Sequence, residues 1–327
     1  MRPYLEHLNA LLAEGAARLP KDLRERHAAY LRAKQNSDGG FPGRDGESDL
    51  YYTGFALRGL ALLDALTPEI CTRTAGYLKS CLTKQASVVD FYSFLYAILL
   101  VQTGGGPDVL ADSPADWPER VADLLAQFRT PDGGYNKNPG AASGSTYHTF
   151  LVGLCFELLG RSLPAPEQVR AYVLGRRRED GGFVEVAPMR KSGTNPTAAA
   201  IGVLQLLSPL SPLGRGAGGE GRSSADSAVP DSAATIDFLA GMTSMEGGLC
   251  ANERIPLADL LSTFTGSWTL AQLGALDRLN GHQVYQFAEA LQDDAGGFRG
   301  GVWDEAADVE YTFYGLGTMA LMAKASA

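Results

Sequence analysis

Several residues of this chain have the chemical character of a reactive or binding site. Asp308 and Glu310 lie close to a second acidic pair, Asp304 and Glu305. A carboxyl there can serve as a general acid if apolar surroundings raise its pKa. His148 is a candidate phosphate donor or base, and it stands in the register of Tyr52, Tyr92 and Tyr311, one residue before a Ser or Thr. Bases recur as Arg44, Lys137, Arg190 with Lys191, Arg254 and Arg299, a set that suits a diphosphate if helix N-termini point at the same place. Acids are interspersed with them, so ordinary solvated charge is the alternative. Aromatic residues (Tyr51, Tyr52, Phe91, Tyr92, Tyr96, Tyr147, Phe264, Trp268, Tyr311, Tyr314) offer faces that suit an apolar chain and stabilise cationic carbon. Plain core is the alternative for them.

What must position these groups is a repeat. Residues 293–322 read DDAGGFRGGVWDEAADVEYTFYGLGTMALM: a Gly-Gly-aromatic turn, a polar loop, then Asp-x-x-Tyr-Thr opening an apolar helix. The same order runs from Gly39-Gly40-Phe41 to Asp49 and Thr53, from Gly133-Gly134-Tyr135 to Thr149, from Gly181-Gly182-Phe183 to Thr197, and from Gly247-Gly248-Leu249 to Asp259 and Thr263. Gly133 and Gly181 are 48 residues apart, Gly248 and Gly297 are 49, and Gly39 and Gly133 are 94, two periods. Such a period marks stacked helix pairs that cannot bury their apolar faces alone.

Amphipathic helices are expected at about 5–34 (broken near Pro20), 67–80, 114–129, 166–177, 231–242 and 280–291. Helices apolar on every side are expected at about 49–63, 88–101, 145–159, 194–207, 259–276 and 308–324. The second repeat lacks its Gly-Gly turn. Residues 212–232 are Gly/Ser-rich without apolar periodicity and read as a mobile surface loop. An open solenoid exposes one side of every helix, whereas a closed ring walls its inner helices all round. The expectation is therefore all-α: an (α/α)6 barrel of six helical hairpins, one domain over 1–327, with the inner N-termini and the Gly-Gly loops on one rim.

A formal charge of −9 over 327 residues argues against nucleic-acid or anionic-membrane partners. The four cysteines, Cys71, Cys81, Cys155 and Cys250, show no CxxC spacing and read as reduced thiols. Glu6, His7 and Glu14 interrupt the N-terminal stretch, which lacks a signal-peptide core, and no apolar run is long enough to suggest a transmembrane segment. The expected location is cytoplasmic.

The five turn-loop-helix motifs in register resemble the repeats of the protein prenyltransferase β subunits and the terpenoid cyclases, over nearly all of the chain outside its N-terminal helix and the Gly/Ser-rich loop. The resemblance implies an α/α toroid whose central cavity holds an isoprenoid. It also implies a zinc ion in the prenyltransferases, held by an Asp, a Cys and a His. The matching positions here are Asp259, Leu261 and Tyr311, of which only the first binds a divalent ion well. No cofactor is expected and zinc is disfavoured; Cys250 is a candidate to substitute for the missing thiolate, with its loop setting against it. Arg254 lies in the family's basic stretch, but Pro256 stands where a Lys is expected and Ser262 where a Tyr is. Asp308 matches an acidic position of the last repeat; Asp49, Asp259 and Asp308 are equally suited to capping their helices. The DxDD motif of class II cyclases is absent. The expected function is binding of an isoprenoid or prenyl diphosphate against Tyr52, Tyr92, Tyr147, Trp268 and Tyr311, with Arg44, Lys137, Lys191, Arg254 and Arg299 near the head group. The alternatives are a metal-free cyclase using Asp308, Glu310 or His148, and a non-catalytic interaction module with an unidentified protein partner.

Overall fold

The structure, a computed structural model, describes residues 3–82, 87–208 and 229–325. Most of the Gly/Ser-rich stretch expected as a loop, residues 212–228, lies outside the described residues, as do residues 83–86 of the degenerate second repeat.

Thirteen α-helices are found among the described residues, with one two-stranded hairpin, β1 (Cys250–Asn252) and β2 (Ile255–Ala258). Six helices form the inner wall: α3 (Leu50–Leu62), α5 (Val88–Thr103), α7 (Thr146–Leu158), α9 (Thr194–Leu206), α11 (Leu260–Gln272) and α13 (Val309–Ala325). Each packs on the next, and α13 returns to pack on α3, so the ring is closed and the open solenoid is excluded. The outer helices are α2 (Lys21–Ala33), α4 (Pro68–Ser80), α6 (Trp117–Ala126), α8 (Pro166–Leu174), α10 (Ser232–Gly241) and α12 (Gly281–Ala290). Among the described residues no helix is long and apolar enough to cross a membrane.

The recurrent motif is a clasp between turn and inner helix. The backbone N–H of the residue after each Gly-Gly pair (Phe41, Tyr135, Phe183, Leu249, Phe298) donates to a threonine hydroxyl in the first turn of the inner helix (Thr53, Thr149, Thr197, Thr263, Thr312) at 2.9–3.1 Å. All five of these residues are fully buried or nearly so. The residue just before the helix supplies the cap: the side chains of Asp49, Ser145, Asp259 and Asp308 accept first-turn N–H groups, each such cap stabilising its helix by about 1 kcal/mol. Neighbouring hairpins are joined by the turn itself. The turn glycines Gly39, Gly133, Gly181 and Gly247 lie against the backbone at Arg73, Gln168, Ala234 and Gln283 of the following outer helix. Gly296 closes the circle by docking on α2. Its φ is 99° and an added Cβ would lie 2.9 Å from the Arg26 carbonyl oxygen, so only glycine fits there.

His27 on α2 receives this last turn. Its ring stacks on Phe298 at 4.6 Å, its Nδ1 accepts the Gly297 N–H at 2.9 Å, and Nε2 lies 3.0 Å from Gln292 Oε1. An acceptor at Nδ1 fixes the neutral tautomer with the proton on Nε2. Burial, reinforced by the Arg26 charge, pushes the His27 pKa down to about 4. Beside it Arg44 grips Asp304 through two hydrogen bonds of 2.7 and 2.6 Å and lies 3.6 Å from Asp308.

One helix stands outside the alternation. The sequence assigns the first thirty residues to amphipathic material, but only α2 is an outer helix; α1 (Tyr4–Ala16) contacts α13, α3, α7 and α9 and closes the end of the ring opposite the turn loops. Leu5, Leu8 and Leu12 are its buried face, and Gly15 sits so close to α13 that a Cβ would fall 2.0 Å from the Ala320 carbonyl oxygen. The amphipathic pattern is the same for a plug as for an outer helix, which is why the sequence does not distinguish them.

Two outcomes test this account. Thr312→Val, which keeps shape but leaves the Phe298 N–H buried and unpaired, should lower unfolding free energy by about 1–3 kcal/mol with far-UV dichroism unchanged. Between pH 6.5 and about 4 the unfolded state binds a proton that folded His27 refuses. The His27 contribution is therefore complete above pH 6.5 and is lost as pH falls to about 4, by roughly 3 kcal/mol. Denaturation midpoints across that window should be flatter in His27→Gln.

Candidate functional site

The inner helices place side chains on the barrel axis at regular levels. On α3, α7 and α11 the second, the fifth or sixth, and the ninth residues face inward, the spacing of one helical stripe. From α3 these are Tyr51, Phe55 and Arg58; from α7, Tyr147, Phe150 with Leu151, and Leu154; from α11, Leu261, Phe264 with Thr265, and Trp268. The α9 stripe is small, with Ala198 and Ala199 at the middle level, so the space widens on that side. The result is a lumen of ≈ 480 Å³ whose walls are mostly aromatic and aliphatic.

α1 forms its floor. Tyr4, Leu5 and Leu8 line the cavity from below. The α1 backbone is held by Glu157 of α7, whose carboxylate accepts the Tyr4 and Leu5 N–H groups at 2.6 and 2.9 Å. The Trp268 indole donates to the Tyr4 hydroxyl at 2.8 Å, and the Tyr96 hydroxyl to Asn9 at 2.8 Å. A second space of ≈ 670 Å³ lies between α1 and the ends of α3, α5 and α7, and Arg58 borders both.

The mouth carries carboxyls. Glu185, in the loop between α8 and α9, lines the lumen; it accepts hydrogen bonds from the Ser145 hydroxyl and, at 3.3 Å, from the Tyr147 N–H. Burial raises its pKa against these bonds. Glu310, the second residue of α13, receives the Tyr51 hydroxyl at 2.6 Å, and burial raises its pKa too, with Asp308 adding in the same direction. The Tyr147 ring is exposed to the lumen, while partial desolvation of its hydroxyl, with Glu310 nearby, pushes its pKa up to about 12, so it stays neutral.

The other expected site residues divide cleanly. Tyr92, Tyr147 and Trp268 line the lumen. Tyr52 and Tyr311 do not; their rings cover Gly43 and Gly300 and brace the rim loops. Tyr92 is not in their register, because the capping box of Ser87 and Asp90 starts α5 so that Tyr92 is its fifth residue, while Tyr52, His148 and Tyr311 are third residues. His148 lies outside the lumen lining; its Nδ1 is 2.7 Å from the Ser145 hydroxyl, which places it one side chain away from Glu185. Burial, then Lys137, lowers its pKa and favours the neutral ring. Asp308 caps α13 in the seam with Arg44. Of the bases, Arg44 is held by Asp304, Lys191 pairs with Glu253 at 3.0 Å and Arg299 donates to the Ala290 carbonyl. Lys137 and Arg254 are exposed.

Asp259, Leu261 and Tyr311 stand at the positions matched to the family's zinc ligands. Both carboxylate oxygens of Asp259 are taken by Ser262, at 2.7 and 2.8 Å; Leu261 lines the lumen and has no donor atom; Tyr311 braces its loop. Among the described residues no three His, Cys, Asp or Glu side chains are grouped to hold a metal ion, whereas zinc takes three or four. Three features escape the sequence reading: Arg58, Glu185 and the α1 floor. A lone Arg inside the apolar run LYYTGFALRGLAL was the signal for the first.

A family model described as the prenyltransferase alpha-alpha toroid domain matches residues 5–95 and 71–327. A drimenyl diphosphate synthase of Streptomyces showdoensis is 37% identical over 89 residues, 26% of this chain and 16% of that protein. The geranylgeranyl transferase type-2 subunit beta of Saccharomyces cerevisiae is 24% identical over 212 residues, 60% of this chain and 63% of that subunit. The chain thus spans less than two thirds of either curated relative. Among solved structures, a protein geranylgeranyltransferase-I of Candida albicans complexed with GGPP superposes with a TM-score of 0.67 at 14% identity, covering 91% of both chains. The type II terpene cyclase MstE from Scytonema gives 0.60 at 12% identity over 96% of this chain and 98% of that one. At these identities the likeness is one of fold.

The raised carboxyl pKa has a sign. Folded Glu310 keeps its proton above the ordinary value of 4.5, so the Glu310 contribution to stability is complete below that pH and is lost as pH rises through the folded pKa. Glu310→Gln should lack this fall when urea midpoints are compared from pH 4 to 8.

Proposed function

The chain belongs to the prenyltransferase alpha-alpha toroid domain family, and from that premise we propose that it binds a polyprenyl chain, free or as its diphosphate, inside the lumen. The observation that carries this reading is the aromatic cavity of ≈ 480 Å³ between the rim carboxyls and α1. It falls within the range of about 300–1,000 Å³ typical of small-ligand sites. Its walls offer a branched hydrocarbon ring faces and aliphatic carbon, with α1 excluding water from below. Transfer to a zinc-bound thiolate is not part of the proposal, because the ligand set for zinc does not fit.

A second reading, proton-initiated cyclisation, is favoured by two half-buried carboxyls, Glu185 in the lumen lining and Glu310 bonded to the lining residue Tyr51. A neutral carboxyl of Glu310 or Glu185 would give its proton to a double bond of the ligand: the O–H bond breaks, a C–H bond forms from the π pair, and the neighbouring carbon becomes cationic. Tyr314, Phe264 and Phe55 present rings to that cation, which aromatic faces stabilise. Loss of a proton from carbon to the carboxylate ends the sequence and restores the acid.

Binding and turnover separate these readings. A C15 or C20 diphosphate should quench tryptophan fluorescence, since Trp268 lies in the wall; absence of any saturable binding overturns the proposal. If the chain cyclises, Glu310→Gln or Glu185→Gln should lower kcat by about 10²–10⁴ with binding little changed, and the wild-type rate should fall as pH rises through the raised carboxyl pKa. Binding of these diphosphates and of squalene without turnover would leave a non-catalytic binding module.

A further inference from the structure

Arg58 is a charge without an account in the site described above. It is the ninth residue of α3, in a helix otherwise made of apolar and small polar residues. Its guanidinium lies 3.8 Å from the Phe55 ring centroid, 4.6 Å from Phe313 and 5.7 Å from Tyr96. Among the described residues its side chain makes one hydrogen bond, from Nε to the Gly54 carbonyl of the same helix at 3.3 Å. Among the described residues no carboxylate lies within ion-pair distance of it.

The lumen lining therefore contains two charged side chains, Glu185 at the mouth and Arg58 toward the floor. Glu185 is already satisfied by Ser145 and the Tyr147 N–H. Arg58 is not. Arg58 is half-buried and borders both the lumen and the space beside α1; aromatic faces cover part of its guanidinium, while its forked Nη donors have no protein acceptor among the described residues. Those donors match the paired oxygens of a carboxylate or a phosphate.

We propose that Arg58 receives the anionic head group of the lumen ligand, a diphosphate or a carboxylate, so that the ligand lies head toward α1 and hydrocarbon tail toward Glu310. This rests on the isoprenoid reading above and adds an orientation to it. Any proton transfer at the mouth would then act on the end of the chain remote from the head, and the bond from carbon to the head-group oxygen would stay intact through the reaction.

Three C15 probes of equal tail test this by calorimetry: farnesyl diphosphate, farnesoate and farnesol. Wild-type protein should bind both anions, or one of them, at least tenfold more tightly than farnesol, and the stronger anion identifies the head group. Arg58→Met should abolish that preference while keeping farnesol affinity. Arg58→Lys, which keeps the charge without the fork, should reduce the preference and serves if the Met variant does not fold. A preference retained in either variant but lost in Lys137→Gln with Arg254→Gln would place the head at the rim and overturn the proposal. Equal binding of all three probes by wild type overturns the orientation alone, and binding of none overturns the isoprenoid reading with it.

Discussion

Everything in this fold depends on one contact made over and over: the turn of a hairpin pressed against the outer helix of the next. The threonine clasp fixes where the turn leaves the inner helix, and the turn backbone fixes where the neighbouring hairpin sits. Because the last turn lands on α2, the rotation per hairpin closes on itself rather than climbing into a superhelix. His27 shows how tightly that junction is specified, since a single imidazole stacks on the turn aromatic and accepts the turn N–H. Buried groups that give one another their hydrogen bonds stabilise a unique arrangement, and a partner lost there leaves the other stranded.

Closure is also what aligns the lumen. Inner helices of matching start and pitch put side chains on the axis at common levels, so a wall is assembled from residues far apart in sequence. The motif residues are spent on this scaffold: the glycines, the aromatic after them, the capping acid and the threonine all face the turn. The residues with chemistry to offer stand beside them. Tyr51 is in the lumen and Tyr52 is not; Glu310 meets Tyr51 at the mouth while Tyr311 braces a loop. A shift of one residue on a helix is about 100° of rotation, enough to move a side chain from the cavity to the rim.

That rotation explains how much was legible in the sequence. The six hairpins, their alternation and the closure of the ring followed from period and apolar pattern, which are averages over many residues; the thirteenth helix, α1, did not. The wall was partly legible: of the aromatics that the sequence offered, Tyr51, Tyr92, Tyr147, Phe264, Trp268 and Tyr314 line the lumen, while Tyr52 and Tyr311 stand one step off the axis. Arg44 illustrates a different limit. A base in a rim loop looks available until the partner brought by ring closure, Asp304, is known to lie 260 residues away in sequence. Arg58 and α1 were hidden for opposite reasons, the first because one charge is lost in an apolar run, the second because its pattern is shared by every outer helix.

The seating of α1 has a bearing on how the molecule comes to be. Its apolar face and Gly15 fit against α13, the last helix of the chain, and the adjoining α2 waits for the final turn. Neither can take its place during synthesis until the opposite end has emerged. Pairings of such long sequence separation are slow to form, so α1 settles only once α13 is in place, and floor and ring are completed together.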